Sequence, residues 1–354
     1  MSLPPSEVPQ GAIRFNTDSQ RLEFYAQGEW WVMSTDTPNL AQSGDPTPGA
    51  RGLFAGGYQP GAYQNDIDYI NIASTGNTQD FGTLNTSPTA GAGVGSRTRA
   101  LFAGGYGSGG ATPAEIDTVV FASTGNASDF GDLNNSGNIR RAGAGNATRG
   151  LFAGGGAIGA TQIDYVTIAT TGTAHDLGDL TVARSRFAGA GSPVRGVFAG
   201  GFTPSPANTY YNVIDFVNIA TIGNAQDFGD LTRGKSWTAA CSNPTRMLIG
   251  GGSIAPDGNT AVSEMEYVTI ASGGNAIIFG DLNKVVDTGA YAGSGVASST
   301  RGVFNAGLFK NPGTTYVNLI YYVQIATQGQ AQDFGDLDGT RYGVQTCSNG
   351  HGGL

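Results

Sequence analysis

An all-β fold made of six similar four-stranded units is what this sequence predicts, and three observations predict it. The phrase Arg-Gly-Leu-Phe-Ala-Gly-Gly, or a close variant, occurs six times, beginning at Arg51, Arg99, Arg149, Arg195, Arg246 and Arg301, at intervals of 46 to 55 residues. Each copy is followed by a β-branched run such as Ile163-Asp164-Tyr165-Val166-Thr167-Ile168. Then comes Gly-Asn-Ala-Gln-Asp-Phe-Gly-Asp-Leu or a near relative. A period of about 50 residues made only of strand-like pieces is the sequence signature of a β-propeller.

The unit around Arg195 serves as the template, with strands expected over 186–191, 196–200, 214–220 and 227–231. The second and third are apolar without strict alternation, as expected of a sheet covered on both faces. The first is very small, Ala142-Gly143-Ala144-Gly145 in one copy and Ala188-Gly189-Ala190-Gly191 in the next, which suits strands converging on an axis. The fourth supplies one large anchor per unit: Phe81, Phe130, Leu177, Phe228, Phe279 and Phe334. The small strand is out of step with the other three, its first copy near 90–93 and its last near 342–347. The first unit therefore lacks an inner strand and the end of the chain carries a spare one. Six blades, with the C-terminal strand closing inside the first, are expected, because closure removes exposed sheet edges.

At this point the pattern resembles kelch repeats. The basic residue Arg99, the run Leu101-Phe102-Ala103-Gly104-Gly105 and the outer aromatic Phe130 follow that layout, and the resemblance covers roughly residues 50–354. Phe stands where the kelch Trp is usual. The resemblance implies an architecture and names no ligand.

Residues 1–34 read as a separate β-hairpin module for docking or oligomerisation, 35–50 as a linker and 51–354 as the propeller. Gly11 to Asn16 and Arg21 to Tyr25 are strands around a polar turn, and Gly28 to Val32 continues as a third. Three short strands cannot bury a core alone. Ile13, Phe15, Leu22, Phe24, Tyr25, Trp30 and Trp31 are therefore expected to meet a partner. The stretch Gly11-Ala12-Ile13-Arg14-Phe15-Asn16-Thr17-Asp18, with Leu22-Glu23-Phe24-Tyr25 and a Trp, resembles a module of tailed-phage fibres and virion appendages. The Gly-Asn-Ala-x-Asp-Phe-Gly-Asp-Leu phrase is similar to propeller repeats of marine phages. These resemblances imply a virion structural protein, a fibre or decoration appendage assembled in the host cytoplasm. Its partners would be other virion proteins through residues 1–50, a second copy of itself, and a host surface glycan or protein. The alternative is a non-viral kelch-type module for protein interaction or carbohydrate binding.

Composition narrows the chemistry. A net charge of −9, with Arg spread once per repeat, argues against nucleic acid, which needs clustered Lys and Arg. No apolar stretch approaches the roughly 18 residues of a membrane span, and residues 1–11 are polar and Pro-rich, so neither membrane insertion nor a secretory signal is expected. The 58 glycines follow no Gly-X-Y period. Cys241 and Cys347 recur in the phrase Cys-Ser-Asn in non-adjacent repeats, too far apart to bridge, and read as small buried hydrophobes.

The two histidines, His175 at a solvated loop position and His351 in a frayed end, make a poor metal site. The copper oxidases that share the kelch architecture need two His and two Tyr ligands, and the sialidase Ser-x-Asp-x-Gly-x-x-Trp box is missing. No cofactor, no metal and no enzyme activity are expected. The recurring Asp80, Asp129, Asp176, Asp227 and Asp333, replaced by Ile278 in the fifth unit, read as structural. They would bond turn amides or pair with the repeated Arg.

What varies is the connection between the second and third strands. These segments hold Tyr58, Tyr63, Tyr106, Phe202, Tyr210, Tyr211, Phe309 and Tyr316, on the face expected to lie opposite the short, uniform turns. Two readings stand for them: a recognition face for glycan or protein, or aromatics packed on the rim.

Overall fold

In a computed structural model, residues 8–16, 21–32, 50–134, 139–156, 159–204, 206–254, 260–282, 290–291, 294–309 and 313–354 are described. The chain divides into two compact units, Met1–Pro48 and Gly49–Leu354. It is all-β: apart from one 3-10 turn at Ser108–Gly110, every regular element among the described residues is a strand.

The first unit holds one antiparallel sheet of three strands, Ile13–Asn16, Arg21–Ala26 and Glu29–Val32, in chain order. Its register pairs Ile13 with Phe24 and Phe24 with Trp31, and Phe15 lies two residues beyond Ile13, so these residues share one face. That face is open: Ile13 is 62 %, Phe15 60 % and Trp31 49 % exposed. The Leu22 side chain lies outside the described residues. Tyr25 and Trp30 occupy the opposite face, rings 5.3 Å apart, where Arg14 lies 4.0 Å over Trp30 and bonds Glu23 at 2.8 Å. Of the seven residues expected to dock, Ile13, Phe15, Phe24 and Trp31 thus lie on one face and Tyr25 and Trp30 on the other, which is already satisfied within the module.

Among the described residues the second unit contains six four-stranded antiparallel sheets. The fourth is the simplest: Ala188–Gly191, Arg195–Ala199, Val213–Asn218 and Gln226–Asp230, within two residues of the sequence expectation. The first sheet is Gln345–Ser348, Arg51–Ala55, Asp66–Asn71 and Gln79–Thr83, so a strand from the end of the chain completes it. Cys347 stands opposite Leu53 in that pairing. This strand begins three residues later than expected, which leaves Tyr342 outside the sheet.

The innermost strands neighbour one another in succession, and Gln345–Ser348 lies beside both Ser294–Ala297 and Ala92–Gly95. Their approach is close enough to dictate their composition: a Cβ on Gly143 would come within 2.4 Å of the Gly93 carbonyl oxygen. Six apolar clusters fill the spaces between successive sheets. Leu101, Ile116 and Phe130 of the second meet Phe152, Val166 and Ile168 of the third. Phe334 and Val303 of the sixth meet Phe54 and Ile70 of the first. The six expected anchors are all buried, at 0–5 % exposure. Each such side chain contributes roughly 1.5–3 kcal/mol.

The repeated phrases are the seams between sheets. The Gly125 N–H donates to the Phe81 carbonyl at 2.7 Å and the Ala127 N–H to Thr83, joining the second sheet to the outer strand of the first. The same pair of bonds recurs at every junction, ending with Gly76 to Phe334 and Thr78 to Asp336. Gly178, at φ +146°, shows why Gly follows the Phe or Leu: a Cβ there would meet the Gly223 carbonyl oxygen at 2.5 Å. The repeated Arg makes a second seam. Arg149 Nη1 donates to the Ile219 carbonyl of the next sheet at 3.0 Å, Arg195 to Ile270 at 2.8 Å, and Arg301 returns to Ile72 of the first at 3.0 Å. Each of these guanidiniums also lies over a third-strand ring of its own sheet, as Arg195 lies 4.5 Å over Phe216. The Asp of the triplet accepts from the amide two residues on, as Asp129 does from Gly131 at 3.0 Å. Arg therefore pairs with carbonyls, not with this Asp.

His351 departs from expectation. It is not frayed: its ring donates from Nε2 to the Gly95 carbonyl at 2.7 Å and accepts at Nδ1 from the Gly353 N–H at 3.1 Å. Burial pushes its pKa down. It lies at an axial cavity of about 60 Å³ lined by all six innermost strands. Cys241 and Cys347, free and buried, line the same cavity, and burial pushes both thiols up.

Candidate functional site

The candidate site lies at the other end of the innermost strands, where the second strands also terminate. The variable segments there are not irregular loops. Several fold back as two-residue ribbons, Tyr58–Gln59 with Ala62–Tyr63 and Phe202–Thr203 with Thr209–Tyr210 among them. Isolated bridges tie three of these variable segments to residues just before an innermost strand: Tyr58 to Tyr342, Tyr106 to Thr89 and Phe202 to Ser185.

Below this face, among the described residues, buried ion pairs hold the start of four innermost strands. Arg141 meets Asp164 at 2.6 Å, Arg184 meets Asp215 at 3.1 Å, Lys235 meets Glu266 at 2.6 Å, and Arg341 meets Asp68. In the second sheet no cation pairs with Asp117 among the described residues. Asp117 instead accepts from the Asn85 backbone and side chain, and burial pushes its pKa up to about 6. The folded chain therefore favours the protonated form. The contribution of this group to stability is fully present below the ordinary carboxylate value, about 3.9, and is lost as pH rises through about 6. Between pH 5 and pH 7 the melting temperature of Asp117→Asn is expected to fall less than that of the wild type. Parallel curves from thermal unfolding would remove Asp117 as the source.

At the mouth, five equivalent positions among the described residues adopt left-handed backbone: Ala90 (φ +56°), Arg140 (+59°), Arg186 (+61°), Trp237 (+56°) and Gly343 (+67°). Their amides form a hydrogen-bonded chain, Trp237 to Arg186, Arg186 to Arg140, Arg140 to Ala90 and Ala90 to Gly343, at 2.6–3.0 Å. This conformation costs about 1 kcal/mol or more for each residue with a Cβ. Arg140 and Arg186 lie 5.7 and 5.2 Å from the Trp237 ring, and Arg186 lies 4.6 Å over Phe202.

Aromatic rings continue from there. Tyr106, Tyr63, Tyr58 and Tyr342 follow one another at 6.0, 5.0 and 5.7 Å, and Tyr316 joins Tyr342 at 5.7 Å. Burial, with the neighbouring tyrosines, pushes the Tyr342 hydroxyl up, while Arg140 lies near enough to oppose this. The result is an arc of aromatic and guanidinium groups around the mouth.

Of the eight residues expected to bind, Tyr58, Tyr63, Tyr106 and Tyr316 join this arc. Tyr210 pairs with Phe202 at 5.0 Å, but Phe202 is only 5 % exposed and serves as support. Phe309 packs on the core between the fifth and sixth sheets. Tyr211 joins no ring pair among the described residues; its backbone bonds Gly201 and Lys235. Arg140, Arg186, Trp237 and Tyr342 were not singled out in the sequence. Their signal was variation at the position just before a uniform small strand, which alignment of the repeats on their second strand obscures.

Among the described residues no three His, Cys, Asp or Glu side chains gather to hold a metal ion. His175 stands exposed, its ring 5.6 Å from Tyr165. Compared with known proteins, the chain matches no family model and no curated protein sequence.

Proposed function

We propose that this protein is a non-catalytic adhesion module of a tailed-phage virion, a six-bladed kelch-like β-propeller whose variable face binds glycan on a bacterial surface. The propeller reading is supported by the six four-stranded sheets and by seams that return from the sixth sheet to the first. The observation that carries the binding reading is the arc Tyr106–Tyr63–Tyr58–Tyr342 on the face where the repeats differ. Tyrosine offers flat apolar area and a hydroxyl at low entropic cost, which suits sugar rings. Several weak contacts on one appendage, multiplied over copies on a particle, give adhesion through effective concentration. The phage assignment rests on the resemblance of residues 11–32 and of the Gly-Asn-Ala-x-Asp-Phe-Gly-Asp-Leu phrase. The open face of Ile13, Phe15 and Trp31 supports attachment to a carrier protein of the virion.

One experiment with two arms tests the reading. Tyr63→Ala with Tyr106→Ala is expected to cut binding to an array of bacterial surface glycans at least tenfold, with the melting temperature nearly unchanged. Ile13→Ser with Phe15→Ser is expected to leave array binding intact and to abolish incorporation into particles. Unchanged array binding by the folded tyrosine variant would overturn the site. Normal incorporation of the second variant would overturn the attachment.

A further inference from the structure

We propose that the axial pocket beneath the centre of this face takes the acetamido group of an N-acetylated sugar, which rests on reading the face as a glycan surface and names the class of glycan.

The pocket lies where the innermost strands begin and measures about 110 Å³. Gly91, Phe187, Thr238 and Val344 line both this pocket and a smaller pit at the mouth, so it opens towards the variable face. Tyr342, two residues before Val344, brings the aromatic arc to that opening.

On one side the wall departs from the repeat. The first residue of the innermost strand is Ala92, Ala142, Ala188 and Ala239 in the second to fifth sheets, each opposite the last residue of its second strand. The sixth and first sheets place Ser294 and Gln345 there. Thr238 stands just before Ala239 in the fifth. The Thr238 and Ser294 hydroxyls and Gln345 Oε1 are buried and have no hydrogen-bond partner among the described residues. Gln345 is only 1 % and Thr238 7 % exposed. A Cβ on Gly91 would meet the nitrogen of the Gln345 carboxamide at 2.3 Å, so that group is held where the pit and the pocket join. Buried polar atoms without partners are destabilising, and the alanines of the other four sheets show that packing does not require Ser294 or Gln345.

The polar atoms come from three consecutive sheets, the fifth, sixth and first. Ala92, Ala142, Ala188 and Phe187 of the other three supply an apolar wall. Arg141 is the one charged side chain lining the pocket among the described residues, and Asp164 engages it at 2.6 Å. A charged ligand group would sit there without an opposite charge. The matching group is neutral and two-sided. An acetamido group carries one N–H donor, one carbonyl acceptor and a methyl. Its N–H donates to Gln345 Oε1, its carbonyl accepts from the Thr238 and Ser294 hydroxyls, and its methyl meets the alanines and Phe187. The sugar ring stays at the mouth beside Tyr342. A ring hydroxyl in place of the acetamido group is too short to reach these atoms and leaves them unpaired.

Calorimetric titration of the full chain tests this with two matched pairs: the trimer of N-acetylglucosamine against cellotriose, and N-acetylgalactosamine against galactose. At least one acetamido sugar is expected to bind about tenfold or more tighter than its hydroxyl counterpart, with little change as salt is raised. Thr238→Val and Ser294→Ala are each expected to weaken that binding about fivefold or more while melting at the same or a higher temperature, because each removes an unpartnered hydroxyl. A lower melting temperature with binding unchanged would assign the hydroxyls to scaffold and overturn the proposal. Equal binding within both pairs would leave the pocket to water and overturn it too. Failure of both acetamido sugars to bind, while other array glycans still bind through Tyr63 and Tyr106, overturns this subsite alone. Absence of all glycan binding on the array overturns the adhesion reading with it.

Discussion

Deleting residues 341–354 is expected to lower the melting temperature of the whole second unit by about 15 °C or more, or to prevent its folding. The deletion strips the first sheet of the strand Gln345–Ser348 and exposes the backbone of Arg51–Ala55. It also removes Arg341 from Asp68, both 4 % exposed or less. Stranding one member of a buried pair costs about 3–5 kcal/mol. Loss of the buried Val344 and Cys347 side chains adds roughly 3–5 kcal/mol. In a unit of this size, 1 kcal/mol corresponds to about 2 °C. The damage should not stay local, because the lost strand also touches the innermost strands of the second and sixth sheets. Calorimetry would check this through a single shifted transition. A truncated chain that melts with the intact protein would mean that the strand is an accessory and not a part of the sheet.

Arg184→Met is expected to cost about 3–5 kcal/mol, near 10 °C, although the residue touches neither the variable loops' aromatic arc nor the axial cavity. Arg184 and Asp215 are both fully buried, their nearest nitrogen and oxygen 3.1 Å apart. Thr181 donates its amide and hydroxyl to the same carboxylate, at 3.1 and 2.6 Å. Without the guanidinium these two neutral donors must hold a buried charge alone. The double variant Arg184→Met with Asp215→Leu removes the charge as well and should recover most of the loss. Denaturant unfolding of the two variants would decide it. A single variant as stable as the wild type would show that Asp215 reaches water.

Much of the strand pattern was legible because each strand is also a local composition. Phe228 is an apolar residue framed by Asp227 and Gly229, and Ala188 to Gly191 is a run nothing else in the unit matches. Local patterns of this kind report period, burial and turn chemistry. The same reasoning misread His351, whose burial depends on where the last five residues pass relative to Gly95, a contact across 256 positions. It left Phe202 and Phe309 open between two readings for a related reason: an aromatic in a variable loop has the same composition whether it faces water or packs on the structure beneath. The ion pairs were hidden too, since Asp164 sits inside an apolar strand and Arg141 lies 23 positions away.

The sequence by itself determined the repeat, the all-β class, the small innermost strands and the strand left over at the end of the chain. These follow from period and side-chain size, which are properties of neighbouring residues. Only the tertiary structure decided that the repeated Arg and Gly-Asn-Ala phrases are seams between sheets, because a hydrogen bond to a carbonyl about 70 residues away leaves no local pattern. It also decided which aromatics form one surface. Arg140, Arg186, Trp237 and Tyr342 come from four different repeats, and they meet only because the innermost strands converge.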